Sequence, residues 1–333
     1  METFWFVALA GMITVYAVLD GFDLGAGALH LWVARPGEDR EEVTGAIGPV
    51  WNGNEVWLIA SGGVLFLAFP KAYAGAFSGL YFGLILVLWL LIGRGLALEL
   101  RHQLDNPLWR SACDAVFGLS SLALAIVFGV AIGNVVRGVP LNAEGYFHMP
   151  LFDILNWYAL LVGLFGLVVL AAHGARLLAW RARGDVRERA ARAARRLWWP
   201  ELVLALALIW PTYSVRSDML DHLVDNPWTL VFPLVALCAL GAMFVYQQRR
   251  LFLHAFSASA AFIVGLLATM AAGLYPHVLP AQEGDPHGLT VDDAAAGDYA
   301  LEVALAWWSI GMLLAVAYFV HAYRLFFRPT PDR

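Results

Sequence analysis

The chain has 333 residues, 61% of them hydrophobic and only 14% charged, with a mean hydropathy of +0.68 and a formal net charge of −5. A soluble domain carries about 25% charged residues, so this composition excludes a soluble globular protein, and no nucleic-acid partner is expected. It describes a polytopic membrane protein, in which a charge matters by where it sits.

Taken in chain order, the opening METFWFVALAGMITVYAVLDG lacks a basic n-region and a small-residue cleavage site, so it reads as a retained first helix. Apolar runs near or above about 18 residues mark spanning helices. On that basis nine spans are expected, at 3–33, 48–69, 74–98, 112–135, 155–179, 198–215, 227–247, 252–274 and 301–325. The second is interrupted by WNGNE, and loop charge decides in its favour. With nine spans, eighteen Lys and Arg gather in one set of loops and three, Lys71, Arg137 and Arg216, in the other. Lys and Arg favour the cytoplasmic side, which places the N-terminus outside and the C-terminus inside. The fold class expected is an all-α membrane helix bundle, a single integral domain over 1–333.

Two connections stand out. The Arg-rich stretch 180–197 reads as a helical cytoplasmic connection and positive-inside anchor, with contact to anionic lipid as the lesser alternative. The stretch 275–300 carries acids but no Lys or Arg and suits an external loop. Cys113 and Cys238 belong to no CxxC pair or haem-attachment motif and read as buried free thiols.

Chemistry concentrates in two polar segments at membrane depth. The first is VLDGFDLGAG, with Asp20 and Asp23 three residues apart on one helix face. An acid at the centre of a spanning helix costs about 2.5–3.5 kcal/mol, so two must be offset by partners, water or protonation. Gly21 and Gly25 form a small-xxx-small pair that lets another helix approach closely. Two neighbouring acids there can hold and pass a proton; the structural alternative is that both only hydrogen-bond adjacent helices. The second segment is GPVWNGNEVWLIASGG, with Asn52, Asn54 and Glu55 between Trp51 and Trp57. Pro49 and Gly53 loosen the helix there and free backbone groups. The tryptophans are either interfacial anchors or walls of a buried cavity. Asp23, Asn52 and Asn54 together offer hard oxygen ligands for a cation.

Of nine histidines only His173 lies well inside a span, where it reads as a packed helix residue, and no evident pair at one depth could clamp a haem. HExxH, P-loop, GxGxxG and nucleophile-elbow motifs are not found in the sequence.

Read together, VLDGFDLGAG, GPVWNGNEVWLIASGGVLFLAFPKAYAGAFSGLY, IGNVVRGVPLN and GLYPHVLPA resemble subunit II of the cytochrome bd-type quinol oxidases, in order and spacing across essentially the whole chain. The short external loops resemble the compact versions of that subunit, including the cyanide-insensitive type. The resemblance implies a multi-pass protein of the bacterial inner membrane. Its partner would be a homologous subunit I that holds haem b and haem d, while this chain binds no haem of its own. The complex would oxidise quinol, reduce dioxygen to water and build a proton gradient without pumping. A small accessory transmembrane subunit, a structural quinone and membrane lipid belong to the same expectation. Carried over by residue, Asp23 matches the family's proton-path carboxylate and Asp20 the acid preceding it in some members. Trp57 matches a tryptophan near the oxygen tunnel of some members. Asn52 departs from members that read WDGN; an amide orients water but does not titrate, and Glu55 one turn away is the candidate replacement. Two other readings stay open on the residues alone: an ion-coupled secondary transporter and an assembly subunit without a chemical role.

Overall fold

The computed structural model describes residues 1–326. The chain is a helix bundle in the order α1 (Glu2–Val33), α2 (Glu38–Ile47), α3 (Trp51–Ala68), α4 (Pro70–Gly79), α5 (Tyr81–Leu100), α6 (Pro107–Arg137), α7 (Leu151–Ile154), α8 (Trp157–Arg181), α9 (Gly184–Ala207), α10 (Ile209–Val215), α11 (Asp218–Asp225), α12 (Val231–Gln248), α13 (Phe252–Leu274), α14 (Val291–Ala294) and α15 (Asp298–Phe326). A 3-10 turn, Pro227–Leu230, leads into α12. The one sheet among the described residues is a two-stranded antiparallel pair, β1 (His277–Leu279) and β2 (Leu289–Thr290).

Helix starts follow local chemistry. Asn106 caps α6 by accepting from the Leu108 amide at 2.8 Å, with Pro107 at the first helical position, where its missing N–H costs nothing. Asn156 caps α8 in the same way through Ala159 N at 3.0 Å. Gly138, at φ +85°, ends α6 in a conformation that a side chain would strain.

Among the described residues seven helices are long and apolar enough to cross a membrane: α1, α5, α6, α8, α12 with its leading 3-10 turn, α13 and α15. The other two expected spans have a physical reason for falling short. In α3 the polar WNGNE dilutes an 18-residue helix. The expected 198–215 span is divided between the end of α9 and the short α10, with Pro200 inside α9. The expected 74–98 span is likewise split between α4 and α5 at Leu80. Cys113 is buried as expected, whereas Cys238 is exposed on α12 because its helix face is not covered by the chain's own helices.

Helix α1 is the axis. It packs on α3, α6, α8 and α13, and α6 packs on α5 and α8. At its N-terminal end the 136–154 and 275–300 segments fold back over it, with Leu141, Leu279 and Leu289 in one apolar cluster with Trp5. Arg216 ties these segments together by donating to Ala281 O at 2.6 Å and Val136 O at 3.1 Å. At the opposite end the Arg-rich start of α9 docks on the end of α1. There Arg189 donates to Val33 O at 2.6 Å and to Asp39 at 2.5 Å. The basic connection and the acidic loop therefore occupy opposite ends of the bundle. Helix α15 contributes few buried residues and leaves Trp307, Leu313, Leu314 and Tyr318 exposed.

Candidate functional site

The polar segments of α1 and α3 meet. Asp20 and Asp23 are 0% and 1% exposed. The opposite side of α1 explains how they are held so deep. A Cβ on Gly25 would stand 1.8 Å from Leu170 O and 2.8 Å from Gly174 N, and one on Gly21 would meet the Leu170 side chain at 2.9 Å. At Gly25 α1 and α8 therefore touch backbone to backbone, which only glycine permits. Gly53 has no such role, since a Cβ there would make an ordinary contact with Phe319 at 3.5 Å.

The counter-ion for the acids comes from α5. Arg94 is fully buried, and its Nη2 donates to Asp20 Oδ1 at 2.7 Å and to Glu55 Oε1 at 2.5 Å. Counting positive charges by loop sets Arg94 among the cytoplasmic basics; the structure places it inside an apolar helix instead. The signal was present in LLIGRGLALEL, an arginine flanked by glycines within a span, where an unpaired guanidinium would be costly. Removing one partner of such a buried pair costs about 3–5 kcal/mol.

Asp23 is held by an amide. Asn54 Nδ2 donates to Asp23 Oδ2 at 2.7 Å and to Leu19 O at 3.2 Å, and its Oδ1 accepts from the Tyr323 hydroxyl of α15 at 2.8 Å. Asn52 is exposed and is not brought to this group. The oxygens of Asp23, Asn52 and Asn54 therefore do not converge as a cation site, because Asn54 presents its N–H to the carboxylate. Among the described residues no set of three or more His, Cys, Asp or Glu is arranged to hold a metal ion. What the structure assembles is Asp20, Asp23 and Glu55 around one guanidinium. Asp20 Oδ2, Asp23 Oδ1, Arg94 Nε and Arg94 Nη1 have no partner among the described residues. Such atoms call for water or an exchangeable proton. Glu55, a quarter exposed, gives the group an opening toward the surface.

Both tryptophans are buried within the bundle. Trp57 is 9% exposed with its ring 5.4 Å from Phe319, and Trp51 is 7% exposed beside Gly95. An apolar groove of about 660 Å³ opens between α1, α3 and α15, lined by Met12, Val64, Val303, Trp307 and Met312 among others.

Two further polar sites were not singled out from the sequence, and a third, at His173, was read there only as a packed helix residue. Asp114 of α6 accepts from Arg40 at 2.9 Å and Arg101 at 2.7 Å and pairs with His30 Nε2 at 3.0 Å. Arg176 and Glu201 form a closed two-bond pair at 3.2 and 2.6 Å between α8 and α9. His173 uses both ring nitrogens, with Ser259 Oγ at 2.6 Å and Val18 O at 3.0 Å, and stacks on Phe256. The partners in each case lie far apart in sequence, so no local pattern announces them.

Comparison with known proteins bears on all of this. The family model described as "Cytochrome bd terminal oxidase subunit II" matches residues 1–326. The chain is 31% identical to the "Probable cytochrome oxidase subunit 2" of Haemophilus influenzae, covering 97% of this chain and 93% of that one. It is 30% identical to the "Cytochrome bd ubiquinol oxidase subunit 2" of Bacillus subtilis, covering 91% and 89%. It is 31% identical to the "Cytochrome bd-I ubiquinol oxidase subunit 2" of Escherichia coli K12, covering 90% and 87%. A chain in the solved bd oxidase of Geobacillus thermodenitrificans shares the fold, with a TM-score of 0.79 over 99% of both chains at 20% identity.

Proposed function

The chain belongs to the cytochrome bd terminal oxidase subunit II family, and from that premise we propose that it serves the complex as its haem-free subunit and as a route for protons. It is a component of a quinol oxidase and a multi-pass protein of the bacterial cytoplasmic membrane. Membership of the family removes the secondary-transporter reading.

In the proposed arrangement haem b and haem d reside in the partner subunit I, where quinol gives up electrons and dioxygen is reduced to water. Support for a haem-free chain comes from His173, the histidine deepest in a span: both of its ring nitrogens are already engaged, so it offers no open axial ligand. The N-terminus lies outside and the C-terminus in the cytoplasm, as the charge asymmetry of the loops supports. Protons for water formation enter from the cytoplasm while those of quinol leave outside, so a proton motive force arises without pumping.

The observation that carries the proton role is the buried group of Asp20, Asp23 and Glu55 around Arg94, with carboxylate oxygens left for exchange. Asp23 is the carrier, oriented by Asn54. Trp57 and Trp51 wall the access for oxygen, and the apolar groove beside α15 accommodates a lipid chain or a structural quinone. A small accessory subunit has a place against the exposed side of α15. The test is Asp23→Asn in the assembled oxidase. Quinol-driven oxygen consumption should fall by at least about 100-fold, the scale of a lost acid–base group, with haem content retained. A normal rate per haem would reject the proton role and leave a subunit that acts in assembly alone.

A further inference from the structure

The polar face of α1 does not stop at Asp23. Gly27 and His30 follow at spacings of four and three, so Asp20, Asp23, Gly27 and His30 form one stripe along the helix. Helix α6 lies against it. A Cβ on Gly27 would stand 2.1 Å from Ser121 Oγ, which puts that hydroxyl directly on the α1 backbone. Seven residues earlier on α6, and therefore two turns along the same face, Asp114 Oδ1 meets His30 Nε2 at 3.0 Å. Ser121 and His30 thus stand on the seam between α1 and α6, and Asp23 lies one turn further along the same stripe of α1. A rise of about 1.5 Å per residue sets the level of Gly27 and Ser121 about 6 Å from Asp23 and about 4.5 Å from His30. One bridging water closes gaps of that size.

All three side chains are buried, at 1%, 0% and 0% exposure, and each keeps one polar atom without a partner among the described residues: Asp23 Oδ1, Ser121 Oγ and His30 Nδ1. Buried polar atoms are nearly always bonded. Three successive ones along one stripe of α1 and the helix packed on it, ending at a carboxylate, offer places where hydrogen bonds can change hands. The far end reaches the surface. His30 is faced by Asp114 of α6, by Arg40 of α2 and Arg101 just after α5 through that carboxylate, and by the Phe117 ring at 5.3 Å. Glu41, 3.8 Å from Arg101, is half exposed. By engaging Nε2, Asp114 leaves Nδ1 as the ring nitrogen that exchanges protons.

We propose that His30 and Ser121 feed protons to Asp23. The doubly protonated imidazole of His30 gives its Nδ1 proton to the Ser121 oxygen while the hydroxyl releases its own proton to Asp23 Oδ1, which leaves His30 neutral with Nε2–H on Asp114; a proton from water then returns to Nδ1. The inference rests on the reading of Asp23 as the carrier.

The experiment compares Ser121→Ala, His30→Gln and Asp23→Asn in the assembled oxidase, as quinol-driven oxygen consumption per haem in H2O and in D2O. Ser121→Ala and His30→Gln should each slow turnover about tenfold, equivalent to one lost hydrogen-bonded step, and should raise the H2O-to-D2O rate ratio, which a purely structural defect leaves unchanged. Ser121 stands outside the Asp114 cluster, so its variant tests the path even where His30→Gln lowers the yield. Wild-type rate and isotope ratio in Ser121→Ala, with Asp23→Asn slow, would overturn this path alone. A fast Asp23→Asn would overturn the carrier itself.

Discussion

Two buried arginines in this protein meet their acids in opposite ways. Arg176 and Glu201 form a closed pair: one guanidinium, one carboxylate, both oxygens bonded, joining α8 to α9. Arg94 faces an open group, where Asp20 and Glu55 share one nitrogen and Asp23 stands alongside on an amide. The closed pair has no carboxylate oxygen left to exchange and reads as a fastening between helices. The open group has more acid than base and retains oxygens for exchange, which is the condition for moving a proton. On the proposed reading, burial of charge does not by itself mark a functional site. The balance of partners does.

The comparison can be broken most sharply at Arg94. Arg94→Leu would leave Asp20 and Glu55 without their cation and should destabilise the assembled protein by more than the roughly 3–5 kcal/mol of a single broken buried pair. The expected outcome is loss of the complex from the membrane, read by its yield and by thermal unfolding in detergent. Glu201→Gln breaks the closed pair and should cost about 3–5 kcal/mol in the same unfolding assay. Turnover per surviving complex should stay normal, and a kinetic defect there would erase the distinction between the two groups. The paired change Arg176→Met with Glu201→Met replaces the fastening by apolar contact and should return stability to within about 1–2 kcal/mol of the parent. No such paired replacement at Arg94 and Asp20 should restore turnover.

An exposed pair gives the small end of the scale. Thr290 caps α14 with Asp293, whose hydroxyl partner Thr290 holds the carboxyl below its usual range. A depressed carboxyl contributes stability that is present above about pH 4, its unfolded value, and is lost as the pH falls through the lower folded value. Thr290→Ala should therefore loosen the 275–300 loop by about 1 kcal/mol at neutral pH and by less in acid. Hydrogen exchange of the Asp293 amide reads this directly.

Much of the site was legible residue by residue. Asp20 and Asp23 announce themselves as acids in an apolar helix, and Gly21 with Gly25 announces the close crossing that α8 fills. Asn54 and Glu55 were visible as polar residues in a weak span. Asn52 was equally visible and joins nothing, because two residues along a helix turn a side chain to nearly the opposite face, and nothing local says which amide points inward. Arg94 was misassigned because charge counting treats every arginine as a loop residue, and its acids lie 74 and 39 residues away.

The sequence by itself determined the class of protein, the helical period, the family and the positions of the acids. These depend on composition and on spacing along one helix, which are local properties. The tertiary structure alone decided the cation that neutralises the acids, which asparagine orients Asp23, and that Ser121 and His30 lie on the same seam. Those outcomes depend on which faces of α1, α3, α5 and α6 are pressed together, and that is set by the backbone contact at Gly25 and by the rotation of each helix about its own axis.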